Sequence, residues 1–191
     1  QNTIEDALLE KVALRFKKVV MGNPLDPKTT FGPLATAKQY AIVMRYIESG
    51  QASGATLITG GKKALEETGG HFIEPTLFQG VKADAPLAQE EIFGPVLSTI
   101  TFTDEADAIR IANNTRYALM SYVWTHNLGT GMRIADNIHS NAAILSGKPT
   151  SVGAGHVVSI EPAGLSGFGT ESGLAGMESY LRRKTHTFLY G

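Results

Sequence analysis

Apolar residues recur at helical spacing from the start of the chain. Ile4, Leu8, Val12 and Phe16 fall four apart, and Leu9 and Val19 widen the stripe. Thr3 followed by Asp6 is an S/T-x-x-D start signal, in which the hydroxyl takes an orphan amide of the first turn. Gly22-Asn23-Pro24 predicts the stop, and Pro27 and Pro33 keep the next stretch irregular. A second helix is predicted from near Thr36 to Gly50 or Ser53, with Tyr40, Val43 or Met44, and Ile47 facing inward. Short strand-like runs follow. Ala55–Thr59 is one; Phe72–Phe78 is another, which Pro75 demotes to an edge or a broken strand. Residues 60–71 between them read as an exposed turn.

From residue 96 the alternation sharpens. Val96–Phe102 reads as a strand. Thr103-Asp104-Glu105 opens a helix with acid at its positive end, and Leu119–Thr125 is a second strand. Leu128, Met132, Ala135 and Ile138 stripe another helix, and Ala142–Leu145 is a third strand. This β-α-β-α-β order with short connections predicts parallel strands. The fold class expected is therefore α/β, a mostly parallel sheet with flanking helices. Eight of the 21 glycines then fall between 147 and 176, in a loop long enough to expect a function for it. A short helix is predicted around Met177–Leu181. Lys184–Tyr190 is an extended run whose backbone groups require a partner. One domain over 1–181 and a tail over 182–191 is the organisation expected.

Composition narrows the functions. With 17 Lys+Arg against 18 Asp+Glu there is no cationic field of the kind a nucleic-acid partner needs. No apolar run approaches the length of a membrane helix, and the first residues carry no basic cap and apolar stretch of a secretory leader. A cytoplasmic location is expected. Cysteine is absent, which removes disulfides, thiolate metal sites and a cysteine nucleophile from this chain.

Simple catalytic patterns fail on inspection. Gly164-Leu165-Ser166-Gly167 lacks the final Gly of a nucleophile elbow, because Phe168 stands there. Gly167-x-Gly169 with Gly173 is one residue too long for a dinucleotide fingerprint, and Gly60-Gly61-Lys62-Lys63 is not a phosphate loop. Histidines 71, 126, 139, 156 and 186 include no i, i+4 pair, so no metal site is expected.

Gln89-Glu90-Glu91-Ile92-Phe93-Gly94-Pro95 stands apart, with two carboxylates and an aromatic just ahead of a strand. A carboxylate there can accept two hydrogen bonds from vicinal ribose hydroxyls, and Phe93 can pack on a flat ring. The plainer reading is a solvated acidic turn with Phe93 buried as a core anchor. On the residues alone the balance lies with the plainer one.

Glu90-Glu91-Ile92-Phe93-Gly94-Pro95-Val96 also resembles a hallmark of the NAD(P)-dependent aldehyde dehydrogenase superfamily. More of the chain is similar to that family in the same order. Gly22–Pro27 with Gly32-Pro33-Leu34 resembles the segment after the catalytic region, and Ile73-Glu74-Pro75-Thr76-Leu77 its I-x-P-T-L run. Ala112-Asn113 with Tyr117 and Leu119 resembles A-N-x-x-x-Y-G-L. Ser166-Gly167-x-Gly169-x-Glu171-x-Gly173 resembles S-G-x-G-x-E-x-G, and Tyr180 with Lys184-Thr185 the closing Y-x-x-x-K-T.

The resemblance implies an enzyme that oxidises an aldehyde to an acid with NAD or NADP through a cysteine thiohemiacetal and thioester. It implies that this chain is the C-terminal part of the catalytic domain plus an oligomerisation strand. The nucleophilic Cys and general-base Glu then lie upstream, so the chain alone is expected to be inactive. Glu91 corresponds to the Glu that holds the nicotinamide-side ribose hydroxyls, Phe93 to the Phe beside that ribose and ring. Glu171 corresponds to a Glu near the inner end of the substrate tunnel, for which a proton relay has been proposed. The partners implied are an aldehyde, the missing N-terminal half and further copies of the chain, with no nucleic acid or membrane. There are departures: Ala118 replaces a Gly, Ser159–Leu165 lacks the Phe, paired glycines and Lys of P-F-G-G-x-K, and Ile144-Leu145-Ser146 replaces a strand end with Asn. The loop at 147–173 is expected to wall the tunnel. Two alternatives stay beside this reading: a non-catalytic oligomerisation module and a plain α/β small-molecule binding domain.

Overall fold

The computed structural model describes residues 1–147 and 158–191. They form two compact units, Gln1–Asn114 and Thr115–Gly191. The α/β class holds, with parallel and antiparallel ladders mixed.

In the first unit, a 3-10 turn over Asn2–Ile4 leads into α1, Glu5–Phe16. Thr3 lies inside that turn and makes no cap; Ile4 holds the cap position. The helix stops well before Gly22. Val20 is already committed to an extended pairing, accepting hydrogen bonds from the amides of Thr30 and Phe31 at 2.9 and 3.1 Å. Only Leu9 of the expected stripe is buried; Ile4 and Leu8 are exposed.

α2, Ala37–Ala52, follows the sequence closely. Thr36 caps it by accepting from the Gln39 amide, and Val43 and Ile47 are fully buried. β1, Thr56–Thr59, pairs antiparallel with β4, Thr76–Gln79, which in turn pairs parallel with β5, Val96–Ser98. The expected turn at 60–71 contains a two-residue strand, β2, Lys63–Ala64, antiparallel to β3, Phe72–Ile73. Pro75 breaks the Phe72–Phe78 run as expected, but β4 is the central strand of its sheet, not an edge. Pro75 avoids the ladder by falling between β3 and β4, and Thr76 supplies the first amide, to the Pro95 carbonyl at 2.8 Å.

The core joins Val43 and Ile47 of α2 to Ile73, Phe78, Val81, Leu87 and Ile92. Leu87 belongs to α3, Pro86–Gln89. α4, Glu105–Ala112, is capped by Asp104, which accepts from the Asp107 amide at 2.9 Å.

The β-α-β-α-β run expected to form one parallel sheet divides between the two units. Its first strand, β5, is shorter than expected and joins β4. That pairing packs the partly buried Val96 and Ile100 against the core. In the second unit, β6, Tyr117–Ala118, precedes β7, Met120–Trp124. β7 runs parallel to β8, Asn141–Leu145, with α5, Leu128–Asn137, as the crossover. Gly131 of α5 fits against Ile144 and Thr125 on one face. Tyr122 and Trp124, alternate residues on β7, are exposed, as are Leu128 and Met132 of the expected α5 stripe.

β9, Ala163–Gly164, pairs antiparallel with β6. The last helix, α6, spans Gly173–Glu178, earlier than expected; its Gly176 lies close to the Glu171 backbone, where a β-carbon would be crowded. Beyond it, residues 181–191 are exposed and belong to no ladder among the described residues. Among the described residues no helix is long and apolar enough to cross a membrane.

Candidate functional site

The Glu90–Gly94 turn is built around Ile92. Ile92 is 7% exposed and joins the core, whereas Phe93 is 76% exposed. Phe93 is therefore not the core anchor; its neighbour is. Glu91 and Phe93 flank that anchor, and both are exposed to solvent. Phe93 has φ of 53°, a left-handed conformation that a bulky residue adopts only when its surroundings impose it. The general cost of such a residue is about 1–3 kcal/mol.

Several contacts impose it. Gln39 of α2 donates through Nε2 to the carbonyls of Ile92 and Phe93, at 2.7 and 3.2 Å. Tyr46, also on α2, donates its hydroxyl to the Glu90 carboxylate. Gly94 lies against Val43, where a β-carbon would have no room. Gln89 donates to the Ala83 carbonyl at 2.6 Å and also to that of Asn114. No site motif in the sequence includes Gln39 or Tyr46. Their signal was nonetheless present, since Thr36-x-x-Gln39 is a capping-box pattern and Tyr46 follows Gln39 by two helical turns.

Among the described residues no protein group claims the Glu91 carboxylate, so its oxygens can accept from a diol. The neighbouring aromatic is bare on a fixed backbone. Among the described residues no group of three or more His, Asp or Glu side chains is placed to hold a metal ion.

Glu171 belongs to the second unit. Its backbone forms a reciprocal pair with Ile160, each bond 2.9 Å, and its side chain is exposed. The same unit joins two of the sequence motifs. Tyr117 and Ala118 pair with Gly164 and Ala163, and the Ala118 amide donates to Ser166 Oγ at 3.0 Å. Gly164 adopts φ of 59° with no space for a side chain beside the Arg116 carbonyl. At the departing strand end, Ser146 Oγ lies 3.1 Å from His126 Nδ1. Residues 148–157 of the expected tunnel-wall loop lie outside the described residues.

The model of the aldehyde dehydrogenase family matches residues 1–186. The chain belongs to that family. An aldehyde dehydrogenase of Emericella nidulans is 35% identical over 196 residues, covering 98% of this chain and 38% of the relative. A betaine aldehyde dehydrogenase of Brucella anthropi is 36% identical over 187 residues, covering 95% of this chain and 37% of the relative. The crystal structure of an indole-3-acetaldehyde dehydrogenase in complex with NAD+ superposes with a TM-score of 0.87 at 37% identity. It covers 94% of this chain and 36% of that one. The chain thus spans less than two fifths of the length of these relatives.

Proposed function

We propose that this chain serves as part of an aldehyde dehydrogenase and carries the grip for the nicotinamide end of NAD or NADP. The observation that carries this reading is the exposed pair Glu91 and Phe93, held on either side of buried Ile92. Glu91 accepts hydrogen bonds from the ribose diol, and Phe93 lies along the sugar and ring. When bound, the coenzyme supplies the hydride acceptor for oxidation of an aldehyde to an acid. The chain has no cysteine, so the family's thiol nucleophile comes from outside it, and this reading puts the general-base Glu outside it too. Glu171 is offered as a proton relay from the second unit, supported by its exposed carboxyl on a pinned backbone. Residues 1–181 then form the C-terminal portion of the catalytic domain, and 182–191 an oligomerisation strand. A cytoplasmic location accompanies this reading.

The test is Glu91→Gln in the whole enzyme. It is expected to raise the coenzyme KM and lower kcat, together roughly tenfold or more, the loss of a charge-assisted hydrogen bond. Parent-like constants would refute it. The chain alone is expected to show no dehydrogenase turnover.

A second reading, a non-catalytic oligomerisation module, draws support from the exposed, unladdered tail with Phe188, Leu189 and Tyr190. A stable oligomer of the chain that binds no nucleotide would favour it.

A further inference from the structure

One face of α2 runs beside the segment that ends in the Glu91–Phe93 turn and meets it at four places. Gly50 leaves room for Leu87, whose Cδ2 stands 2.8 Å from where a β-carbon would be. Tyr46 donates to the Glu90 carboxylate. Val43 fills the space beside Gly94. Gln39 reaches the Ile92 and Phe93 carbonyls. Positions 39, 43, 46 and 50 follow the helical repeat, so a single stiff stripe of α2 supports the whole segment.

The two carbonyls that Gln39 takes are those of the peptide planes on either side of the Phe93 α-carbon. The orientation of the first plane sets φ at Phe93 and that of the second sets ψ. One side-chain nitrogen thereby fixes both torsions of the left-handed residue. An amide nitrogen has two hydrogens, and here two carbonyls take them, so Nε2 keeps no donor for a ligand. A Gln at this place in a capped helix can instead turn back onto the cap's own amide group. In this chain its nitrogen crosses to the turn. Without that clamp, φ at Phe93 is free to return to the negative values an L residue prefers, and Glu91 and Phe93 lose their common direction. Ile92 and Val43 would keep the core intact.

We propose that Gln39 is a positioning residue for coenzyme binding. It acts by holding the Phe93 backbone, and through it the paired outward placement of Glu91 and Phe93, while Tyr46 steadies the upstream end at Glu90. The proposal rests on the reading of Glu91 and Phe93 as the coenzyme grip.

The experiment compares Gln39→Leu, Tyr46→Phe, Glu91→Gln and the double variant Gln39→Leu/Glu91→Gln in the whole enzyme, using NAD+ and NADP+ in turn. Gln39→Leu is expected to raise the coenzyme KM roughly tenfold, the scale of two lost hydrogen bonds. It is also expected to enlarge the deuterium isotope effect on kcat with a deuterated aldehyde, since the ring is no longer held for hydride transfer. The double variant is expected to lose less than the two single losses combined, because the two residues act through one turn. Tyr46→Phe is expected to move KM in the same direction by less, and it carries the same test if Gln39→Leu does not fold. Losses that add in the double variant would overturn the proposal, because Gln39 would then act independently of the turn. A folded Gln39→Leu with parent KM, beside an impaired Glu91→Gln, would overturn the proposal and leave the site reading standing. A parent-like Glu91→Gln would remove the site reading, and this proposal with it.

Discussion

Val43 occupies the space that a side chain on Gly94 would need. The fully buried valine and the glycine together let the turn lie flat on α2, with Ile92 inside and its neighbours outside. Gly94→Ala is expected to destabilise the fold by about 1–3 kcal/mol through overpacking. Urea denaturation measures it. Adding Val43→Ala should recover part of that loss relative to Val43→Ala alone, since the clash is with Val43 itself.

The turn depends on α2, and α2 depends on its cap. Thr36 Oγ1 accepts from the Gln39 amide at 3.1 Å. Thr36→Ala is expected to cost about 0.5–2 kcal/mol in a denaturation experiment, and Thr36→Ser to restore most of it. Because Gln39 sits in that first turn, faster amide exchange at Phe93 and Gly94 should accompany the loss.

Asp107 gives the first unit an acid-sensitive contact. Its carboxyl is held below the ordinary value of 3.8, chiefly by the Arg110 guanidinium at 2.6 Å and then by the Thr103 amide. A carboxylate whose folded value is lowered stabilises the fold above its unfolded value and stops doing so as pH falls through the folded one. Asp107→Asn should therefore lower the urea midpoint near neutrality, with the gap to the parent closing in acid. Added salt should shrink the gap at neutral pH, because the pair faces solvent.

The tail touches little of the rest. Residues 181–191 are all exposed, so deleting 182–191 is expected to leave the melting temperature unchanged. The same deletion should reduce self-association in sedimentation if the strand adds to a partner's sheet. An unchanged oligomer would take that role away from it.

Local signals were the legible ones. Thr36 and Asp104 announced their helices, Pro75 its break, and the spacing of Val43 and Ile47 the buried face of α2. The failures were of two kinds. Ile4 and Leu8, with Leu128 and Met132, read as inward stripes yet are exposed, because periodicity tells which face is apolar and not whether anything covers it. The partner of β5 is the strand before it, not the next one in the β-α-β run, because pairing with β4 packs Val96 and Ile100 on the core. At the site, the residue types of Glu91 and Phe93 were readable, but their exposure was not. A left-handed phenylalanine has no sequence signature, and its cause lies on another helix, at Gln39.

Trp124 is the chain's one indole, and it stands bare beside Tyr122 on the outer side of a two-stranded sheet. That makes it a built-in optical gauge. In water its emission should sit toward the red, and any companion segment or subunit that lays hydrocarbon over the sheet should draw it blueward. A titration in a single cuvette could thus report assembly without a dye, a tag or an engineered fluorophore.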